Sequence, residues 1–332
     1  MEYRKVGRSG LFLSSLSLGS WVTFKNQLGV RKATELMAHA YDKGVTFFDN
    51  AEAYGDGETE AIMGEALKNL KWIRDTYCVS SKVYWGGDKP TQKGLSRKHL
   101  VDACNNALKR LQVEYLDIYY CHRPDPDTPI IETVSTMHHL ITQGKILYWG
   151  TSEWPADLVM KARSVAKQYN YTPPIVEQPQ YNMFNRNKVE HEYRYLYKES
   201  GIGLTTWSPL ESGILTGKYC DGVPSESRLG LEKFKWLQFL IEKEEGKTKL
   251  EKTKKLMALA QEVGLPLNQM SIAWCLKNKN VSTVLLGASN IEQLDSNLES
   301  VDKVDLLTDE VMIKIEEILQ NKPEADPDWK AH

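Results

Sequence analysis

The chain of 332 residues is 41% hydrophobic and 26% charged, which is enough apolar material for one large or two average globular domains. Its formal net charge of −2 gives no electrostatic reason to expect nucleic acid or an anionic membrane surface as a partner. No apolar stretch approaches the ~20 residues that cross a bilayer, and residues 1–10 are too polar for a signal peptide. We therefore expect a cytoplasmic protein that does not insert into a membrane.

Short apolar runs, which we predict to be strands, alternate with amphipathic stretches along most of the chain. The eight runs are 15–19, 45–49, 77–81, 117–120, 146–152, 174–180, 203–208 and 282–288. They are continuous rather than alternating in hydrophobicity, as expected for parallel strands buried on both faces. The stretches with helical spacing are 31–43, 58–69, 96–110, 130–143, 155–168, 187–199 and 267–279.

Eight β/α units without a change of composition predict one closed (β/α)₈ barrel, with residues 1–332 forming a single domain. Two short runs ahead of the first unit, 3–6 and 11–13, are predicted to form a hairpin that plugs the N-terminal mouth of the barrel. The segment 209–247 is too long for a simple connection, which suggests a functional loop. The charge-dense residues 243–255 are interpreted as the solvated start of a helix.

The five cysteines are scattered along the chain without CxxC spacing, at Cys78, Cys104, Cys121, Cys220 and Cys275. Three of them lie in apolar runs, which indicates buried thiols in a reducing compartment rather than a disulfide framework. No metal centre is predicted from this pattern.

Four polar residues fall at or just beyond the ends of successive predicted strands, namely Asp49, Tyr54, Lys82 and His122. Each is more often structural when taken singly, but the active sites of parallel barrels lie at the C-terminal ends of the strands. A lone tyrosine, with a pKa of about 10, is a poor acid at neutral pH, and a lysine held by an aspartate lowers that pKa. We therefore predict that Tyr54 protonates a carbonyl oxygen and that His122 orients the substrate or shares the proton.

Carbonyl reduction also needs a hydride donor, and no GxGxxG motif follows the first strand, so a Rossmann domain is not indicated. Ser152 and Gln178 end the fifth and sixth strands and could hydrogen-bond a carboxamide. Trp207, on the seventh strand, could offer a flat face to a nicotinamide ring.

Two later segments could hold phosphates. Residues 207–219 are rich in small side chains and include Lys218, which suits close backbone approach to a pyrophosphate. Gly287 and Ser289 precede a predicted helix, whose first N–H groups favour an anion. Arg228 could pair with a phosphate or stack on adenine. A plain turn and a plain strand-to-helix loop explain the same residues, so spacing alone leaves the cofactor site open.

The chain resembles the aldo-keto reductases, and within them the β-subunits of voltage-gated potassium channels and their plant and bacterial relatives. The matching segments include FFDNAEAYGDGETE, SSKVYWGG, CHRPDPDTPIIETV, VEQPQYNMF, TTWSPLESGILTGKY and VLLGASNIEQL. They occur in the same order and cover nearly the whole chain. The resemblance implies a (β/α)₈ barrel that binds NADPH without a Rossmann fold.

The resemblance also implies roles for individual residues. It assigns Tyr54 as the general acid, Lys82 and Asp49 as the residues that tune it, and His122 as the fourth member of the group. The expected lining of a pocket for a small carbonyl substrate is Trp21, Tyr54, Trp85 and His122. The expected contacts to NADPH or NADP⁺ are Ser20, Trp21, Gln27, Asp49, Ser152, Gln178, Trp207, Ser208, Pro209, Leu210, Ser212, Gly213, Lys218, Arg228, Gly287, Ser289, Gln293 and Asn297.

Three positions differ from the animal channel β-subunits, which carry Asn, Arg and Tyr where this chain has His122, Glu153 and Glu226. The roles of Glu153 and Glu226 therefore stay open. His122 is the residue of conventional reductases, which favours NADPH-dependent reduction of aldehydes or ketones. The alternative is a cytoplasmic regulatory β-subunit that docks on a potassium channel and uses bound NADPH as a redox sensor. Family likeness also implies a homotetramer.

Overall fold

The computed structural model describes residues 1–21, 24, 29–225 and 227–326. The chain divides into two compact units, which we call the barrel unit and the second unit. The barrel unit consists of Met1–Pro179, Tyr195–Trp207 and Lys279–Leu298, and the second unit consists of Gln180–Arg194, Ser208–Asn278 and the described residues from Glu299 onward. Within the described residues, no helix is both long and apolar enough to cross a bilayer.

The strands confirm the predicted fold class. In chain order they are β1 (Tyr3–Lys5), β2 (Phe12–Ser14), β3 (Leu16–Gly19), β4 (Phe47–Asp49), β5 (Cys78–Val83), β6 (Leu116–Cys121), β7 (Ile146–Ser152), β8 (Val176–Gln178), β9 (Gly203–Thr206) and β10 (Val281–Leu286). In the described part of the chain, β3 to β10 run parallel and close into an eight-stranded barrel in which β10 pairs with both β3 and β9. Each of the eight predicted runs overlaps one barrel strand.

The antiparallel pair of β1 and β2 closes one end of the barrel. Val6 and Leu13 are fully buried in the same apolar cluster as Phe47, the first residue of β4. The Arg4 guanidinium donates a hydrogen bond of 3.1 Å to the carbonyl oxygen of Val281, the first residue of β10. These contacts lie at the N-terminal ends of barrel strands, so the hairpin plugs the mouth that the sequence predicts.

The helices follow the predicted amphipathic stretches closely in most cases. They are α1 (Val30–Asp42), α2 (Glu58–Leu70), α3 (Arg97–Leu111), α4 (Ile130–Thr142), α5 (Ala156–Gln168), α6 (Arg194–Ser200), α7 (Phe239–Glu242), α8 (Glu244–Val263), α9 (Leu267–Lys277), α10 (Ile291–Leu298) and α11 (Asp309–Leu319). The stretch 187–199 is not one α-helix, because its first part, Lys188–Glu192, is a π-helix that ends before α6.

The long segment predicted at 209–247 is largely irregular in the second unit. Three short 3₁₀ turns, at Glu211–Thr216, Arg228–Gly230 and Glu232–Leu237, precede α7. The charged residues 243–255 continue from there into α8, which confirms their interpretation as a helix start.

The strand register brings the polar strand ends of the barrel unit together. Asp49 of β4 pairs with Ser80 of β5, and Lys82 of β5 pairs with Tyr120 of β6. Side chains two residues apart on a strand point to the same face, so Ser80 and Lys82 both project toward Asp49. Because all these strands are parallel, their C-terminal ends meet at one face of the barrel, opposite the hairpin.

Candidate active site

The structure brings the four predicted residues at the strand ends together. The Lys82 ammonium donates hydrogen bonds to Asp49 Oδ2 at 2.5 Å and to the Tyr54 hydroxyl at 3.1 Å. The His122 ring lies edge-on to the Tyr54 ring, with 5.8 Å between centroids. Tyr54 begins a 3₁₀ turn that follows β4, and His122 directly follows β6. An acid, an ammonium, a phenol and an imidazole therefore share one site.

Lys82 is fully buried, and all three of its ammonium protons have acceptors. Besides Asp49 and Tyr54, it donates to the carbonyl oxygen of Asn50 at 2.7 Å. Burial is the strongest single influence on the pKa of Lys82 and lowers it, but the Asp49 carboxylate and the Tyr54 side chain together outweigh burial, and the pKa is raised. The structure therefore keeps a cation beside the phenol at neutral pH.

The pKa of Tyr54 shifts upward, opposite to the direction expected from the sequence. Part of the side chain stays exposed, but the surrounding protein raises the pKa of the phenol, and the Lys82 cation only partly offsets this effect. Lys82 acts in the expected direction, but burial acts more strongly on this pKa, and the sequence does not reveal the burial. Tyr54 is consequently protonated at neutral pH, which is the form that can donate a proton.

His122 is a neutral imidazole in this environment. Burial, followed by the positive charges of Lys82 and Arg123, holds its pKa well below the ordinary value. Among the described residues, no group forms a hydrogen bond with its buried Nδ1. The ring is therefore suited to orienting a polar substrate atom, whereas the charged form needed to share a proton at neutral pH is disfavoured.

The second oxygen of the Asp49 carboxylate binds two further side chains. Ser80 Oγ donates to Asp49 Oδ1 at 2.7 Å, and Gln178 Nε2 donates to the same atom at 3.2 Å. Ser152 Oγ in turn donates to the Gln178 carbonyl oxygen at 2.8 Å. The two residues predicted to contact a carboxamide are thus linked to the group that holds Lys82.

Aromatic rings surround the exposed side of Tyr54. The Trp21 ring lies 6.3 Å from the Tyr54 ring and 6.2 Å from the Trp207 ring. On the other side, the half-exposed Trp85 lies 5.1 Å from His122. The four residues predicted to line a substrate pocket are therefore connected by ring contacts within the barrel unit.

The family of the chain is shown by comparison with known proteins. A family model described as "Aldo/keto reductase family" matches residues 15–320. The chain belongs to the aldo/keto reductase family. Two relatives, each 48% identical over 333 residues, cover 99% of this chain and 100% of their own lengths. Both are named "Probable voltage-gated potassium channel subunit beta", and they come from Oryza sativa subsp. japonica and Arabidopsis thaliana.

Aldo/keto reductases are oxidoreductases that generally use NADPH, and the barrel unit contains several of the donors expected for it. Ser20 follows β3 and is anchored by its backbone N–H, which donates to the Asp49 carbonyl oxygen at 3.1 Å. Gly287 and Ser289 precede α10, and Ser289 Oγ donates to Gln293 Oε1 at 2.9 Å. Asn297 is buried near the end of α10. The Ser289 N–H donates to the same Gln293 oxygen at 3.1 Å, so contacts between side chains and the backbone order the start of α10, where helix N–H groups favour an anion.

The second unit contains other residues that are expected to contact the cofactor. They are Ser208, Pro209, Leu210, Ser212, Gly213, Lys218 and Arg228. Partial burial, together with the positive charge of Arg228, lowers the pKa of Lys218, although Lys218 remains largely exposed. Lys218 and Arg228 repel each other, and a phosphate would neutralise their charges. These residues therefore fit the anionic part of a dinucleotide. Gln27 and Glu226 lie outside the described residues.

Three polar side chains to which the sequence analysis gave no role hold predicted residues or their loops in place. Ser80 donates a hydrogen bond to Asp49. Its position two residues before Lys82 on the same strand predicts that the two side chains share a face. Glu153, whose φ of 58° is left-handed, accepts a hydrogen bond of 3.1 Å from the Trp207 indole. In the second unit, the buried Glu211 accepts from Lys249 at 2.9 Å and so fixes the loop that contains Ser212. No periodicity predicts the last two, because their partners are far apart in sequence.

Proposed function

We propose that the protein is an NADPH-dependent reductase of aldehydes or ketones in which Tyr54 is the general acid. The observation that carries this proposal is the buried Lys82 ammonium, which joins Asp49 to the Tyr54 hydroxyl at 2.5 Å and 3.1 Å. When bound, NADPH supplies the hydride that is added to the carbonyl carbon. The chain then has to place the carbonyl oxygen beside a proton donor and stabilise the charge that develops.

Each member of the group has a distinct part in proton delivery. Tyr54 gives its phenolic proton to the carbonyl oxygen as that oxygen gains negative charge, and the product is an alcohol. Lys82 stabilises the tyrosinate that is left, since a cation within hydrogen-bonding distance favours the anion. Asp49 keeps Lys82 charged and in place. The neutral His122 ring, beside the Tyr54 ring, orients the carbonyl oxygen.

Other residues would hold the cofactor in this reaction. Ser152 and Gln178 would bind the carboxamide, and the ring of Trp207 would pack against the nicotinamide. In the barrel unit, the start of α10 offers N–H groups that suit a phosphate. In the second unit, the pair of Lys218 and Arg228 suits the same kind of group. Lys82, Asp49 and His122 are buried, which strengthens their electrostatic contacts.

The test is to measure NADPH consumption with a panel of aldehydes. The consumption is monitored as the loss of absorbance of the reduced nicotinamide. Tyr54→Phe removes the acidic proton but keeps the ring, and we expect a rate loss of about 10²–10⁴ with cofactor affinity nearly unchanged. Tyr195→Phe, at a tyrosine that is 58% exposed, is the matched control. Wild-type turnover by Tyr54→Phe with a slow substrate would remove Tyr54 from this role, and no turnover by the wild type would refute the reductase proposal.

The names of the two plant relatives support a second candidate, a regulatory β-subunit of a potassium channel. On this proposal the protein is a cytoplasmic homotetramer, in which residues 1–332 form one domain per chain and bound NADPH reports the redox state. Co-purification with the cytoplasmic domain of a plant potassium channel, and the mass of the protein in solution, test this alternative. The two functions are compatible, because binding a channel does not require the loss of turnover.

A further inference from the structure

A cation, the Arg123 guanidinium, lies beside the candidate pocket. Arg123 directly follows His122, and its guanidinium carbon lies 5.5 Å from the centre of the Trp85 ring. Its Nη1 donates to the carbonyl oxygen of His122 at 2.5 Å. Trp85 contacts the His122 ring, and His122 contacts Tyr54. Two aromatic rings, Trp85 and His122, thus connect the guanidinium to the proposed proton donor.

The charge of Arg123 reaches the reacting groups. After burial and Lys82, it is the third influence that lowers the pKa of His122, and it also acts to lower that of Tyr54 against the larger effect of burial. The other cation of the site, Lys82, is already neutralised by Asp49 at 2.5 Å. Among the described residues beside His122, Arg123 is thus the cation that has no carboxylate at ion-pair distance.

The neighbouring carboxylates have other partners. Asp125 accepts hydrogen bonds from the Leu95 N–H and the Thr128 hydroxyl, both at 2.7 Å. Glu52 accepts one from the Tyr84 N–H at 2.7 Å. Among the residues that the structure describes, no carboxylate lies within the 4.0 Å of an ion pair with Arg123. The single bond to the His122 carbonyl leaves most of the five guanidinium N–H donors available.

From this geometry we infer that the pocket selects carbonyl compounds that carry a carboxylate, and that Arg123 binds this carboxylate. The inference rests on the proposed reductase function and names its substrate class. An arginine fork matches a carboxylate with two parallel hydrogen bonds, and stacking on Trp85 holds the fork in place. Arg123 is on this account a specificity-determining residue, while Tyr54 and Lys82 carry the chemistry.

The experiment compares two substrates that differ in charge, para-carboxybenzaldehyde and its methyl ester. With saturating NADPH, the wild type is expected to have the higher kcat/KM for the acid, and added salt is expected to reduce this preference. Arg123→Met is expected to reduce the acid-to-ester ratio about 10- to 100-fold, the value of one charged hydrogen-bonded contact. Arg123→Lys keeps the charge but loses the two-pronged guanidinium, and its acid-to-ester ratio is expected to lie between those of the wild type and Arg123→Met. Arg31→Met, at an arginine side chain that is 85% exposed, is the matched control.

Binding without turnover gives an independent readout. Benzoate is expected to bind the wild type more tightly than benzamide in a calorimetric titration, and Arg123→Met is expected to remove the difference. If the wild type reduces the ester at least as well as the acid, the reductase proposal stands and this inference is overturned. If Arg123→Met lowers kcat/KM equally for the acid and the ester, Arg123 has a structural role and the inference is overturned as well. If neither aldehyde is reduced by the wild type, the proposed function itself fails and this inference fails with it.

Discussion

Replacement of Lys82 by methionine tests the central contact of the site. Lys82→Met keeps the length of the side chain but removes the cation that lies 3.1 Å from the Tyr54 hydroxyl. Burial would then raise the pKa of Tyr54 without opposition from Lys82, and the tyrosinate formed by proton transfer would lose its counter-charge. We expect hydride transfer to slow sharply, because the barrier now includes an unstabilised anion.

The size of the effect follows from the distance. Two unit charges 3.1 Å apart interact by about 5 kcal/mol at an effective dielectric constant of about 20. Since ~1.4 kcal/mol corresponds to a factor of ten in rate, the loss is at most about 10³–10⁴. Lys82→Met also leaves the Asp49 carboxylate buried without its cation, which typically costs about 3–5 kcal/mol of folding stability. The double variant Asp49→Asn with Lys82→Met removes both charges and is expected to be more stable than Lys82→Met alone.

The assay is single-turnover oxidation of bound NADPH with an aldehyde, at a temperature where circular dichroism shows each variant to be folded. A double-mutant cycle with Tyr54→Phe isolates the coupling between the two residues. If Lys82 acts through the phenol, Lys82→Met slows the wild type but has little further effect once Tyr54 is phenylalanine. Independent, additive losses would refute the reasoning, because Lys82 would then act on the reaction without Tyr54.

Two further predictions concern the imidazole and the cofactor. His122→Asn is expected to lower the hydride-transfer rate and keep NADPH affinity, with an unchanged pH profile near neutrality, because burial already keeps His122 uncharged there. The folded wild type resists protonation of this ring, so its stability should decrease below the ordinary histidine pKa of about 6.5 and that of His122→Asn should decrease less. If the rate–pH profile of the wild type shows an imidazole titration near neutrality that His122→Asn lacks, the prediction of an unchanged profile is wrong. NADPH is expected to bind more tightly than NADH in a tryptophan-fluorescence titration, because Lys218 and Arg228 can neutralise a 2′-phosphate. Equal affinities would contradict this, and Lys218→Ala should reduce the preference.

The sequence by itself determined the barrel and the face on which the site lies. Continuous apolar runs predict parallel strands, and β7 has the bounds 146–152 that its run predicts. A helix start is equally local, as at Ser96, whose Oγ accepts from the His99 N–H ahead of α3. Once the strands are parallel, residues at their ends must share one face, so the grouping of Asp49, Lys82 and His122 follows from their positions alone.

Only the tertiary structure decided how these groups are charged and which neighbours hold them. The upward shift in the pKa of Tyr54 and the downward shift in that of His122 depend first on burial, which is a sum over neighbours from many strands. The bonds from Gln178 to Asp49 and from Trp207 to Glu153 join residues 129 and 54 positions apart. Periodicity describes a residue's own element, and it carries no information about the atoms that a closed barrel packs around that residue.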